Sequence, residues 1–134
     1  MMDTINRFSP PLGRLLLSLI FITSGINKIL NFSGTAGYME SKGMPLVPLF
    51  LTAAIVLELA GGLSLLLGFK ARVGALLLIV FLIPTTLIFH NFWALEGADR
   101  QMQMIHFMKN LAILGGLLVV FGLGPGPVSM DQKE

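Results

Sequence analysis

The chain has 134 residues, 54% of them hydrophobic and 12% charged, a formal net charge of +2 and no cysteine. The charged share is about half that of a soluble domain, and a fold this small cannot hide so much apolar surface from water, so lipid is the natural solvent. Disulfides, thiolate chemistry and cysteine-held clusters are excluded, and the small, scattered positive charge offers nothing suited to nucleic acid.

Four apolar runs follow in chain order, at about residues 12–30, 46–68, 71–89 and 104–123. Each is near the roughly 20 residues that cross a hydrocarbon core, and a spanning segment must satisfy its own backbone, so each is expected to be a helix. The expectation is an all-α integral membrane protein, a four-helix bundle in one domain over residues 1–134. The first run has Arg7 and Arg14 ahead of it, like a signal peptide. It ends in Gly25-Ile26-Asn27-Lys28 with no small-x-small cleavage site, and it reads as a retained span. Residues 31–45 and 90–103 are expected as loops on one side. The tail Gly124-Pro125-Gly126-Pro127 ends the last helix.

Four spans bring both termini to one side, with Arg7, Arg14, Lys70, Arg72 and Lys133. Lys28, Lys42, Arg100 and Lys109 fall on the other. The basic turn Phe69-Lys70-Ala71-Arg72 is the clearest inside signal. The reading is a multi-pass protein of the bacterial inner membrane with both termini in the cytoplasm.

Polar residues inside the spans point to a site. Glu58 lies mid-span, where a charge costs about 2.5–3.5 kcal/mol on insertion scales and normally finds a partner. Lys109 is the expected partner. Gly61-Gly62 shares a helix face with Glu58, and Gly116 shares one with Lys109, so the second and fourth spans are expected to meet at these glycines. Arg14 is the weaker candidate. His106, Lys109 and Asn110 fall at i, i+3 and i+4 and form one stripe. Asn27 and Lys28 end the first span, and His90 and Asn91 the third, at the same level. Together they outline a polar pocket in the outer half of the bundle. Trp93 is a further pocket candidate, as a stacking platform; the plainer readings are a snorkelling Lys28, an interface-belt Trp93 and interfacial histidines. Two histidines with Glu96 and Asp99 are a thin set for a metal, and no metal site is assigned. Histidine, lysine and asparagine are suitable donors to the carbonyls of a quinone head group beside an apolar slot, and a lipid or sterol pocket has the same character.

The motifs Arg14-Leu15-Leu16-Leu17, Ser24-Gly25-Ile26-Asn27-Lys28, Gly34-Thr35-Ala36-Gly37-Tyr38-Met39, Lys42-Gly43-Met44-Pro45, Glu58-Leu59-Ala60-Gly61-Gly62, Phe89-His90-Asn91-Phe92-Trp93 and His106-Phe107-Met108-Lys109-Asn110, in this order, resemble the DoxX family. The resemblance implies a four-helix inner-membrane protein. It also implies a link to membrane redox complexes, the family being named for subunits similar to those of a thiosulfate:quinone oxidoreductase. With no cysteine, the chain can form no thiol intermediate of its own, which argues against stand-alone sulfur oxidation. Three readings stay open. The first is a component of a quinone-linked redox system with redox partner proteins. The second is a non-catalytic lipid- or small-molecule-binding scaffold, alone or as an oligomer. The third is a small-solute transporter.

Overall fold

A computed structural model describes residues 2–131 of the chain; Lys133, placed above on the side of the termini, lies outside them. The helices are α1 (Met2–Leu30), α2 (Phe32–Ser41), α3 (Val47–Leu67), α4 (Ala71–Phe89) and α5 (Gly97–Leu123), with a 3₁₀ turn at Phe92–Ala94. α1, α3, α4 and α5 are each long and apolar enough to cross a membrane. At 1.5 Å per residue the 21 residues of α3 extend about 32 Å, the thickness of a hydrocarbon core. Leu16, Val56, Val80 and Leu118 are more than half exposed, which is the expected outward face of a bundle whose solvent is lipid.

Segment 31–45, read from sequence as a loop, contains a helix. In α2, Phe32, Ala36 and Met39 fall at i, i+4 and i+7 and pack against Val47, Leu51 and Phe89. Burial of that stripe overrides the turn signal of Gly34 and Gly37. α5 likewise begins at Gly97, seven residues before its apolar run, and α1 at Met2, ten residues before its own.

The spans pack in the order α1–α3–α4–α5, and the backbones of α3 and α5 do not approach each other. The expected seam between the second and fourth spans is therefore absent. A Cβ on Gly61 would stand 2.5 Å from Leu78 Cγ of α4, and one on Gly62 would stand 2.8 Å from Ile22 Cγ1 of α1. Gly61-Gly62 thus lets α3 approach two neighbours, one on each side, and Gly116 faces Leu17 of α1. The main core gathers Phe21, Leu65, Leu78, Leu82 and Leu117 at the bundle centre.

The end that carries the termini is tied by Arg14. Its guanidinium, buried, donates to the carbonyls of Leu65 (2.9 Å) and Leu66 (3.3 Å) at the end of α3. It also donates to those of Val128 (2.6 Å) and Pro127 (3.4 Å) in the tail. The tail then adds its own bonds. Met130 N donates to Leu67 O and Asp131 N to Gly68 O, while the Asp131 carboxylate accepts from the backbone N–H of Lys70 at 2.6 Å and of Ala71 at 2.8 Å. Asp131 caps α4 from 60 residues away. It also holds Lys70 at φ 48°, a left-handed conformation that costs a non-glycine residue roughly 1–2 kcal/mol.

Candidate functional site

Glu58 is buried at mid-span as expected, but its partner is Lys28. Glu58 Oε1 stands 2.6 Å from Lys28 Nζ, and the ammonium donates to Ser24 Oγ at 2.7 Å. Lys28 is an end-of-helix lysine that turns inward rather than snorkelling, because α1 lies directly beside α3 and brings it level with Glu58. It also stands 5.8 Å from the centre of the Phe81 ring. Lys109, the partner expected from sequence, is exposed on the far side of α5. The rotation follows from its neighbour. Asn110 is buried and donates from Nδ2 to Thr86 Oγ1 of α4 at 3.0 Å, and adjacent helical residues point about 100° apart, so Lys109 is turned away. Arg14 is also buried, yet it belongs to the opposite end of the bundle and does not touch Glu58.

Beside the Lys28–Glu58 pair lies a cavity of about 770 Å³, within the size range of ligand pockets. Its polar wall includes Asn27, Lys28, Thr35, Lys42 and His90, with no carboxylate among the described residues. Its apolar wall comes from α3 (Phe50, Ala53, Ala54, Leu57) and α4 (Val80, Phe81, Pro84, Ile88). Phe50, Val80 and Ile88 are also exposed on the outside of the bundle, so the cavity is a slot between α3 and α4 that opens sideways toward lipid. α2 roofs it. Tyr38 packs on Phe89 with ring centroids 5.6 Å apart, and Lys42 Nζ sits 5.6 Å from the centre of the Tyr38 ring.

Of the expected pocket residues, Asn27, Lys28 and His90 line this cavity, and His106, Asn91, Trp93 and Asn110 do not. His106 stands behind His90, ring centroids 5.1 Å apart, and Gln103 Oε1 is 2.7 Å from His90 Nδ1. Trp93 joins Phe92 and Phe107 in an edge-to-face trio with centroids 5.3 to 5.7 Å apart, a rim cluster. Asn91 Oδ1 is buried without a donor. Sequence reasoning missed Thr35, Tyr38 and Lys42, because it took their segment for a loop; the Phe32, Ala36, Met39 spacing was the available signal. Leu57, next to Glu58 in the chain, also lines the cavity.

Four apolar spans with an ion pair buried beside a slot between α3 and α4 define an integral membrane protein. The chain belongs to the DoxX family, which it matches over residues 10–91. It is 42% identical over 120 residues to the inner membrane protein YqjF of Escherichia coli, covering 90% of this chain and 87% of that protein. It is 36% identical over 122 residues to the inner membrane protein YphA of the same organism, covering 91% and 87%. The ER-derived vesicles protein ERV29 of Saccharomyces cerevisiae is 28% identical over 106 residues, covering 73% of this chain and 34% of that protein. No solved structure matches the chain.

Proposed function

We propose that the protein binds a quinone-type amphiphile in the slot between α3 and α4 and serves as one component of a quinone-linked redox system in a bacterial inner membrane. The observation that carries this reading is the slot itself, apolar where it meets lipid and lined by donors at its inner end. Lysine has three N–H donors. In Lys28 one goes to Ser24 and one faces Glu58, which leaves a third for a carbonyl in the cavity. Asn27 and His90 add two more donor groups. Bound there, a quinone accepts two electrons and two protons. The chain's part is to seat the head group, exclude water from its tail and pass protons, with electrons supplied by a partner protein. His90, which lines the cavity with its Nδ1 2.7 Å from Gln103 Oε1, is the residue we assign to pass protons at the wall. His106 and Gln103 connect it to the surface. The cavity lining is confined to one half of the bundle, and Arg14 with the tail closes the other, which favours binding over solute transport.

Purified wild-type protein is expected to carry quinone, measured by extraction and mass spectrometry. His90→Phe should weaken quinone binding about tenfold, the effect of one hydrogen bond. His106→Phe should weaken it less, and Val56→Ala, on the lipid face, should leave it unchanged. Wild-type protein that carries phospholipid and no quinone would move the reading to a lipid-binding scaffold.

The proposed orientation has both termini and the Lys70–Arg72 turn in the cytoplasm and the cavity's polar end outside, on the strength of the basic turn. Reporter tags at residue 1 and in the turn should read as cytoplasmic, and one at Gly97 as external. A cytoplasmic reading at Gly97 reverses the assignment.

A further inference from the structure

At the end of the bundle opposite the slot lies a second recess, of about 420 Å³. It forms where α4 begins and α5 ends, and the tail that folds back onto the α3–α4 turn closes it. Arg72 and Gly124 are both in its wall. A Cβ on Gly124 would stand 3.3 Å from Arg72 Nε and 3.4 Å from Nη2, so the guanidinium rests against the bare backbone of Gly124. The C-terminal pole of the α5 dipole favours a cation at that place. A guanidinium has five N–H donors. Among the described residues no carboxylate pairs with them. The one ion pair there is Lys28–Glu58, and the Asp131 carboxylate, also in the wall, accepts at both oxygens from the backbone N–H groups of Lys70 and Ala71. Lys70 is a second cation in the wall, so two cations face one engaged carboxylate. The remaining edge includes Val73 and Leu123, both more than half exposed. Since α4 begins here and α5 ends here, the recess sits at head-group level, with this apolar edge beside the acyl chains.

We propose that the recess binds an anionic phospholipid, with its phosphodiester on the Arg72 guanidinium and its acyl chains along Val73 and Leu123. A phosphodiester offers two anionic oxygens to the planar fork of an arginine. Choline and ethanolamine heads also carry a cation, and the one carboxylate in the wall is already engaged. The recess therefore selects a head group without an ammonium, of the phosphatidylglycerol type. It shares no lining residue with the slot between α3 and α4, and the inference does not depend on the quinone reading.

The test is native mass spectrometry of the full-length protein, delipidated in detergent and equilibrated with equal amounts of dioleoyl phosphatidylglycerol and dioleoyl phosphatidylcholine. Wild-type protein should prefer phosphatidylglycerol about fivefold, the effect of one basic residue beside an anionic lipid. Arg72→Gln should bring the two lipids to near parity, and Arg72→Lys, which restores the charge, should restore most of the preference. Lys109→Gln removes the same charge from an exposed position on α5 outside the recess and should leave the preference unchanged. A preference that survives in Arg72→Gln, or that falls equally in Lys109→Gln, overturns the inference. Excess inorganic phosphate should fail to displace the lipid, because it makes none of the acyl-chain contacts. If it does displace the lipid, the recess takes a soluble anion and the lipid assignment fails. Each of these results leaves the quinone reading as it stands.

Discussion

Glu58→Ala or Lys28→Ala alone is expected to lower the free energy of unfolding by about 3–5 kcal/mol, the cost of leaving one member of a buried ion pair without its partner. The contact is 2.6 Å and Glu58 is almost fully buried, so its carboxylate has little access to solvent once Lys28 is gone. Replacing both residues together, Lys28→Met with Glu58→Leu, should recover most of the loss, because well-packed apolar residues of similar volume avoid the desolvation cost altogether. The measurement is denaturant unfolding in mixed micelles for the two singles and the double, analysed as a double-mutant cycle. Lys109→Ala is the control and should stay within about 0.5 kcal/mol of wild type, as an exposed residue does. A Lys109 variant as damaged as the Glu58 variant would return the pairing to α5 and discredit the packing order. The double variant should also bind quinone poorly, since Lys28 serves the cavity as well as Glu58.

The second large effect is expected at the other end of the bundle. Arg14→Ala should cost about 3–5 kcal/mol, since the buried guanidinium supplies donors to carbonyls of both α3 and the tail. Arg14→Lys should rescue little, because an ammonium lacks the planar fork that reaches two segments at once. Limited proteolysis provides the specific readout: cleavage after Lys70 or Arg72, in the turn that the tail covers, should accelerate in the Arg14 variant. Asp131→Ala should show the same change in cleavage with a smaller loss of stability, about 1 kcal/mol for a lost helix cap. An Arg14 variant that loses stability without exposing the turn would show that the arginine packs the core and does not clasp the tail.

Depth was legible in the sequence and rotation was not. The apolar runs end at residues 30, 68, 89 and 123, within a residue of the ends of the four long helices, while α1 and α5 begin ten and seven residues before their runs. Glu58 reads as buried because no charge rests mid-span without a partner. Which lysine answers it depends on which helix stands beside α3, and a list of spans does not contain that order. Lys28 and Lys109 sit at comparable depth, and only the packing of α1 on α3 separates them. Gly61-Gly62 shows the same limit. A small-residue pair announces close approach, yet here its two members face different helices. The histidines divide likewise. Both lie at the right level, but only His90, at the end of α4, reaches the cavity, while Asn110 spends its amide on Thr86 and fixes the turn of α5 that sets His106 behind it. Asp131 had no legible role, since the turn it caps lies 60 residues back along the chain.

The tail clasp also has a bearing on the order in which the molecule is made. A ribosome releases residues 127–131 only after all four spans have emerged, yet the α3–α4 turn, inserted much earlier, waits for them. Until then Lys70 and Ala71 lack the carboxylate that holds them, and Arg14 lacks two of its acceptors. The hairpin of α3 and α4 must therefore persist in the bilayer in an unlatched form throughout the synthesis of α5. A chain broken off before Pro127 would present every membrane span with its cytoplasm-facing turn open in the proposed orientation, where a protease can distinguish it from the finished product.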